Sequence, residues 1–383
     1  MRYLTAGESH GQCLTAIIEG LPAGLPLSAT DINQELARRQ QGYGRGGRMK
    51  IEQDKVEIMS GVRFGITLGS PITLVIKNRD WDNWQERMAV EGPPGGAPVT
   101  APRPGHADLT GVLKYGRHDV RDILERASAR ETAIRVAVGA VARQLLSAAG
   151  ILLSSHVVNI GGIKGSASRP PLQDLAAARS ASEVACIDSD AESAMKAAIS
   201  KAQGAGDTLG GIFEIVAEPV LPGLGSHVHW DRRLDTRLAG AIMSIPAVKG
   251  VEFGAGFTYA ELPGSQAHDE IGYHPGEGYK RLSNRAGGLE GGMSNGEPLV
   301  LRAVMKPIPT LMQPLRSVDI ATHEPWLANT ERSDVCAVPA AAVVGEAMTA
   351  IVLAQALLEK FSGDCLEDVL AAVDHYRRRM AKM

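Results

Sequence analysis

Two stretches of this chain read only as buried helices. Residues 125–149, ERASARETAIRVAVGAVARQLLSAA, and roughly 339–361, PAAAVVGEAMTAIVLAQALLEKF, are apolar around most of their girth rather than along one stripe. Such helices need cover on several sides, and their small residues let neighbours approach closely. Strand-like runs at 14–19, 72–77, 212–217 and 299–305 can provide that cover as flanking sheets. Shorter helices are expected at 29–40, starting at Ser28 or Thr30, and at 231–243, starting at Asp231, with a more exposed helical pair over 171–203. The second apolar run is interrupted by Pro339, Glu346 and Gln355, so it reads as a core helix and not as a membrane span.

The two halves echo one another. GQCLTAIIEGLPAGL (11–25), followed by a helix, resembles GGIFEIVAEPVLPGLG (210–225), followed by a helix, and each half later reaches an Arg-Ser segment ahead of a long Ala-rich helix. A pseudo-twofold, two-layered architecture is expected. No G-x-G-x-x-G follows the first strand, which disfavours a dinucleotide-binding parallel sheet. The four cysteines are far apart and form no C-x-x-C pair, and no apolar leader opens the sequence. A reduced, cytoplasmic protein with neither a structural metal nor a membrane anchor is expected.

The stretch TAGESHGQCL (5–14) satisfies the G-x-S-x-G pattern of a serine-hydrolase elbow. An elbow needs a strand, a sharp turn and a helix after a sheet has been built, whereas here a β-rich run follows Ser9 almost at the chain start. His10 then competes as the working residue. A second signal is ARRQQGYGRGGRMK (37–50), in which Arg38, Arg39, Arg45, Arg48 and Lys50 are interleaved with four glycines. Bare amides and guanidinium forks in one loop suit phosphate or carboxylate. In ERASARET (125–132), Arg126 and Arg130 fall one turn apart at a helix start, where they repel each other and the helix dipole unless an anion docks there, aided by Ser128. Glu131 and Arg135 form an ordinary i,i+4 pair. RPGHAD (103–108) sets His106 beside Arg103 and Asp108, and RSD (332–334) precedes the second long helix, where Asp334 could serve as its cap. GGLEGGMSNG (287–296) and KPIPT (306–310) offer backbone to a large ligand. A net charge of −3 and only 4% aromatic residues speak against a nucleic-acid binder built on the basic loop, which stands as the alternative reading.

Taken in order, GESHG (7–11), RRQQGYGRGGR (38–48), RPGHAD, KYG (114–116), ERASARETA, DTLGG (207–211), NRAGGLEGGMSNG (284–296), KPI and RSDVCAVPAA (332–341) resemble the chorismate synthase family along essentially the whole chain. The resemblance implies a single α+β domain over 1–383, a β-α-β sandwich with long central helices between antiparallel sheets, assembled as a homotetramer. It implies a lyase that converts 5-enolpyruvylshikimate 3-phosphate to chorismate by 1,4-anti elimination of phosphate, using reduced FMN (FMNH2) without net redox change. No added domain for nicotinamide-driven (NADP) flavin reduction is evident, so an external reductant is expected. By the same resemblance His10, Arg39, Arg45, Arg48, Arg130 and Arg332 would hold substrate. Arg126, Ala127, Ser128, Pro246, Ala247, Gly291, Lys306, Pro307, Ile308, Pro309, Thr310 and Arg332 would line the flavin. His106 would protonate the departing phosphate, and His10, helped by Ser9, would protonate the reduced flavin. Asp334 would draw the N5 proton through a relay that includes Ser128. One departure is Pro246, which stands where many members have Asn or Gln and has neither an amide nor a side-chain donor.

Overall fold

A computed structural model describes residues 1–46, 53–166, 168–276, 278–331 and 333–383. The chain opens with the antiparallel pair β1 (Arg2–Ala6) and β2 (Cys13–Glu19). Helix α1 (Ala29–Gln40) follows, started by Ser28, whose hydroxyl accepts from the Asp31 amide at 3.2 Å. With β3 (Val56–Ile58) and β4 (Ile72–Lys77) they form a first antiparallel sheet in the order β1-β2-β4-β3. Alternation along its strands turns Leu14, Ala16, Ile18, Ile72, Leu74 and Ile76 to the core.

Three helices come next: α2 (Asp108–Tyr115), α3 (Arg121–Ala127) and α4 (Thr132–Ala148). The single helix expected over 125–149 is therefore broken. Ser128 is extended, with φ −62° and ψ 141°, and caps a short 3-10 turn over Ala129–Glu131. After α4 come β5 (Leu152–Ile160), α5 (Leu172–Ser180), α6 (Ser189–Gly204), β6 (Gly211–Glu218), α7 (Leu234–Met243), β7 (Val248–Phe253) and β8 (Leu299–Met305). The second sheet runs β7-β8-β6-β5, again antiparallel, and is extended past β5 by Ile163–Lys164. Helix α5 covers its outer face with Leu172 and Leu175 against Val216. That cover is why β6 reads as a nearly continuous apolar run. Helix α7 starts three residues later than expected, because 230–232 form a separate 3-10 turn in which Asp231 accepts from the His229 ring at 2.7 Å.

The chain closes with α8 (Val338–Lys360), which carries Pro339 in its first turn, and α9 (Leu366–Met380). Helix α4 packs on β2, β4 and α1, α8 packs on β5, β6 and α7, and the two long helices pack on each other. Their alanines and glycines permit this. A Cβ placed on Gly139 would lie 2.3 Å from the Ala347 Cβ, and one on Gly345 would lie 2.7 Å from the Phe213 ring of β6. The most apolar 18-residue window of α8 is 89% buried within the protein, as a core helix requires.

Candidate active site

Connecting loops from both sheets and the first turns of α8 converge on one cavity of about 1160 Å³. Pockets for one drug-sized ligand span about 300–1,000 Å³, so this one has room for two small molecules. Of the residues singled out from the sequence, Ser9, His10, Arg39, Arg45, Ala127, Ser128, Arg130, Pro246, Ala247, Lys306, Ile308, Pro309, Thr310, His106 and Asp334 line it. Arg48 and Arg332 lie outside the described residues.

The break at Ser128 sorts the two arginines of ERASARET. Arg126, on α3, turns back to the start of the chain and donates to the Gly7 carbonyl at 2.9 Å and to the Thr5 hydroxyl at 2.8 Å. It pins the GESHG loop and does not line the cavity. Arg130, on the 3-10 turn, is buried and donates to Asn78 Oδ1 from Nε at 3.1 Å and from Nη2 at 2.9 Å, with Nη1 on Asp54. The helix-start repulsion inferred from the sequence therefore does not arise, because the two side chains leave from different elements.

Arg39 comes from the last turn of α1. It donates to Thr132 Oγ1 at 3.0 Å and to the Ala129 carbonyl at 2.9 Å, while its Nη1 faces Asp54 at 3.6 Å and makes no hydrogen bond among the described residues, a buried donor left for a ligand. Burial pulls its pKa down to about 10 against the opposing charge of Asp54, with Arg130 and Arg45 adding to the decrease. Neighbouring Arg38 takes the opposite course: it runs into the core to Glu346 at 2.6 Å and also meets Glu35, and so is no part of the anion site. Asp334 does not cap α8, whose cap residue is Ala337. Its carboxylate instead accepts from the Gly46 amide at 2.6 Å and meets Arg45 Nη1 at 3.1 Å, holding the start of the basic loop against the cavity.

The histidines sit in matched settings. The backbone N–H and the ring Nδ1 of His10 both meet Glu125 Oε2 at 2.9 Å, and the ring stacks on Trp84 with centroids 3.9 Å apart. Arg121 Nη1 donates to the same carboxylate at 2.7 Å. The His106 Nδ1 contacts Asp108, which also accepts from Arg103 Nε at 2.8 Å and from the Arg103 amide at 3.0 Å. Burial pushes both carboxyls up, but the imidazole and guanidinium partners outweigh it and hold both below the ordinary carboxylate range. Ser9 is buried beside His10, with its amide on the Glu125 carbonyl at 2.9 Å. That backbone setting, in a turn with no helix after it, is not a nucleophile elbow.

The 306–310 segment forms the opposite wall. Lys306 donates from Nζ to the Gly105 carbonyl and from its amide to the Ala247 carbonyl at 2.9 Å, and burial together with nearby Lys249 lowers its pKa. Ala247 takes a left-handed φ of 68°, and its neighbour Pro246 offers the cavity only a ring and a carbonyl. Pro307 does not line the cavity, nor does Gly291, which turns the hairpin between Leu289–Glu290 and Met293–Ser294 beside α7.

Four further residues complete the site. Asp54 is the shared counter-ion of Arg39 and Arg130. Asn78 accepts from Arg130 and donates to the Glu8 and Gly11 carbonyls at 3.1 and 2.7 Å, coupling the anion site to the histidine loop. Trp84 and Glu125 set the His10 ring. Glu125 lies inside a motif visible in the sequence, but nothing local marks the other three.

The family model described as "Chorismate synthase" matches residues 1–358. Proteins named chorismate synthase from Trichlorobacter lovleyi and Moorella thermoacetica are each 61% identical to this chain, over 98% of both sequences for the first and 100% of both for the second. The counterpart from Aquifex aeolicus is 57% identical over 98% of this chain and 97% of its own. A solved structure titled "Crystal Structure of Chorismate Synthase" superposes with a TM-score of 0.82 at 47% identity, covering 100% of this chain and 98% of that one. With matches of this length and identity, the chain belongs to the chorismate synthase family.

Proposed function

We propose that this chain is a chorismate synthase, a carbon–oxygen lyase of aromatic amino acid biosynthesis, and that its substrate is 5-enolpyruvylshikimate 3-phosphate. In the 1,4-anti elimination the C–O bond to phosphate and a ring C–H bond break, and the ring gains the second double bond of chorismate. The observation that carries this reading is that Arg39, Arg45 and Arg130 line the same cavity as two imidazoles, each anchored by a buried carboxylate. A substrate with two carboxylates and a phosphate calls for such a set of forks in a closed site.

The residues present fit a flavin mononucleotide. The cavity exceeds what one ligand needs, and beyond the substrate's arginines the wall of Ala127, Ser128, Pro246, Ala247, Lys306 and 308–310 combines backbone, small side chains and a cation. Reduced FMN, when bound, would supply electron density to the substrate and take up the ring hydrogen. Arg39, Arg45 and Arg130 bind and orient the acidic groups of the substrate, joined in this reading by Arg48 and Arg332. His106 delivers a proton from Nε2 to the departing phosphate. His10, supported by Ser9, delivers one from its own Nε2 within the cavity, and Asp334 and Ser128 carry a further proton there. Arg126 holds the loop that presents His10.

The same reading makes the chain one pseudo-twofold β-α-β sandwich. Its support is that the sheets share one order under a single correspondence, in which β1-β2-β4-β3 maps onto β5-β6-β8-β7. Under it α1 maps onto α7 and α4 onto α8. A cytoplasmic homotetramer supplied with reduced flavin by an external reductant completes the proposal.

The test is an anaerobic assay with chemically reduced FMN and the enolpyruvyl substrate, read as diene absorbance. Turnover must depend on reduced flavin, and His106→Ala should slow it by at least about 10²-fold while FMN is retained. Full turnover without reduced flavin, or an unimpaired His106→Ala enzyme, would overturn the assignment. Binding that weakened steeply with salt, with no turnover, would favour the anion- or nucleic-acid-binding alternative.

A further inference from the structure

The two cavity histidines come from loops nearly a hundred residues apart, yet they are held alike. Each presents Nδ1 to a carboxylate, Glu125 for His10 and Asp108 for His106. The carboxylate side chains are 3% and 0% exposed, and an arginine from the same segment holds each, Arg121 at 2.7 Å and Arg103 at 2.8 Å.

A carboxylate of this kind only accepts, so a ring nitrogen bonded to it carries the hydrogen. At His106 a second group competes, because Arg103 Nη2 also lies 3.0 Å from Nδ1. A guanidinium only donates, and Arg103 Nη2 has its own acceptor in Asp108 Oδ1 at 3.1 Å. The hydrogen on Nδ1 therefore belongs to the bond with Asp108. At His10 the carboxylate also takes the backbone N–H, and Trp84 covers one ring face, so the imidazole is fixed both in its plane and in its rotation.

We propose that Glu125 and Asp108 are positioning residues for the reaction, each holding its histidine with Nδ1 protonated so that Nε2 is the nitrogen that exchanges a proton in the cavity. This rests on the reading of His10 and His106 as proton-exchanging groups. The charge balance suits the task. An arginine–carboxylate pair beside each neutral imidazole sums to zero, so the ring gains a proton next to a fixed negative group that is already in place. Among the described residues, other charged groups near these rings include Glu8 beside Gly11 and Asp80, Arg87 and Glu331 in the cavity wall on the His10 side, and Lys306, through Gly105, on the His106 side.

The test uses the full-length protein with 15N-labelled histidine, without ligand, and assigns the ring signals from His10→Gln and His106→Gln. In the neutral wild type both rings should read as protonated at Nδ1 and bare at Nε2. Glu125→Ala should release His10 alone into exchange between tautomers, and Asp108→Ala should release His106 alone. Glu125→Gln and Asp108→Asn keep shape and an acceptor oxygen but lose the charge. They should lower kcat by about 10–100-fold with KM nearly unchanged, and near-native thermal unfolding would confirm that the fold survives. A bare Nδ1 in the wild type, tautomers unmoved in the alanine variants, or an unchanged kcat in the isosteric ones would overturn the inference. Inactive histidine variants with unmoved tautomers would remove the positioning roles and leave the functional reading intact. Fully active histidine variants would remove that reading and this inference with it.

Discussion

At the scale of single residues, the site is organised by side chains that carry no motif. Asn78 is the clearest case, since its amide joins Arg130 to the carbonyls of the loop bearing His10. Asn78→Ala would strip the buried Gly11 carbonyl and the Arg130 Nε and Nη2 of these bonds. A loss of about 1–3 kcal/mol in urea unfolding is expected, with a fall in kcat as the His10 loop shifts. A variant of wild-type stability and kcat would show that the two subsites are independent. Asp54 has a similar place: two buried guanidiniums within reach of one carboxylate stay oriented toward the cavity without collapsing onto it. Arg39 and Arg45 were legible in the sequence because basic residues among glycines are unusual, and Arg130 through its spacing from Arg126. Their counter-ions were not, because one Asp or Asn looks like any other until the chain folds.

Among elements, the packing of α4 on α8 decides how much room the rest of the fold has. At Gly139 the helix backbones meet, and the Cβ of an added alanine would fall within 2.5 Å of both the Cα and the Cβ of Ala347. Gly139→Ala is therefore destabilising although alanine favours helix: overpacking of this kind costs about 1–3 kcal/mol, measurable as a lower urea midpoint. Gly240→Ala on α7, where an added Cβ meets nothing within 4 Å, is the control and should leave stability unchanged or slightly higher. The long helices were evident from composition, since few other structures bury so many small apolar residues in a row. The break at Ser128 was not. Residues 125–149 have helical preference throughout, and the tertiary demand that Arg126 reach β1 while Arg130 reaches Asn78 overrides it.

For the whole molecule, one buried carboxylate ties the halves together. Glu346 of α8 is 1% exposed and meets Arg38 of α1 at 2.6 Å, Ser155 of β5 at 2.6 Å, Arg143 of α4 and, at 3.9 Å, Arg179 of α5. Burial pushes its pKa up, but the arginines overcome this and bring it to about 2 from 4.5. A carboxyl depressed in the folded state adds stability that is complete above its unfolded pKa and lost as pH falls toward the folded value. Stability should therefore decline below about pH 4.5, with Asp108 and Glu125 adding to the decline in the same direction. Glu346→Leu would take the buried counter-ion from three arginines, of which Arg38 and Arg143 keep Glu35, a loss of about 3–5 kcal/mol at neutral pH, and would flatten the acid limb of the stability profile. A wild-type acid limb in that variant would assign the decline to other groups.

The sequence alone determined the two core helices, the strands that wall them and the family, because periodicity, composition and ordered motifs are properties of neighbours along the chain. Only the tertiary structure decided that Arg38 serves the core while Arg39 serves the cavity, that Asp334 holds a loop instead of capping a helix, and that His10 takes Glu125 as its carboxylate. Those assignments depend on which loops meet in space. Adjacent residues on one helix point about 100° apart and can reach different surroundings, and a partner a hundred residues distant leaves no local trace.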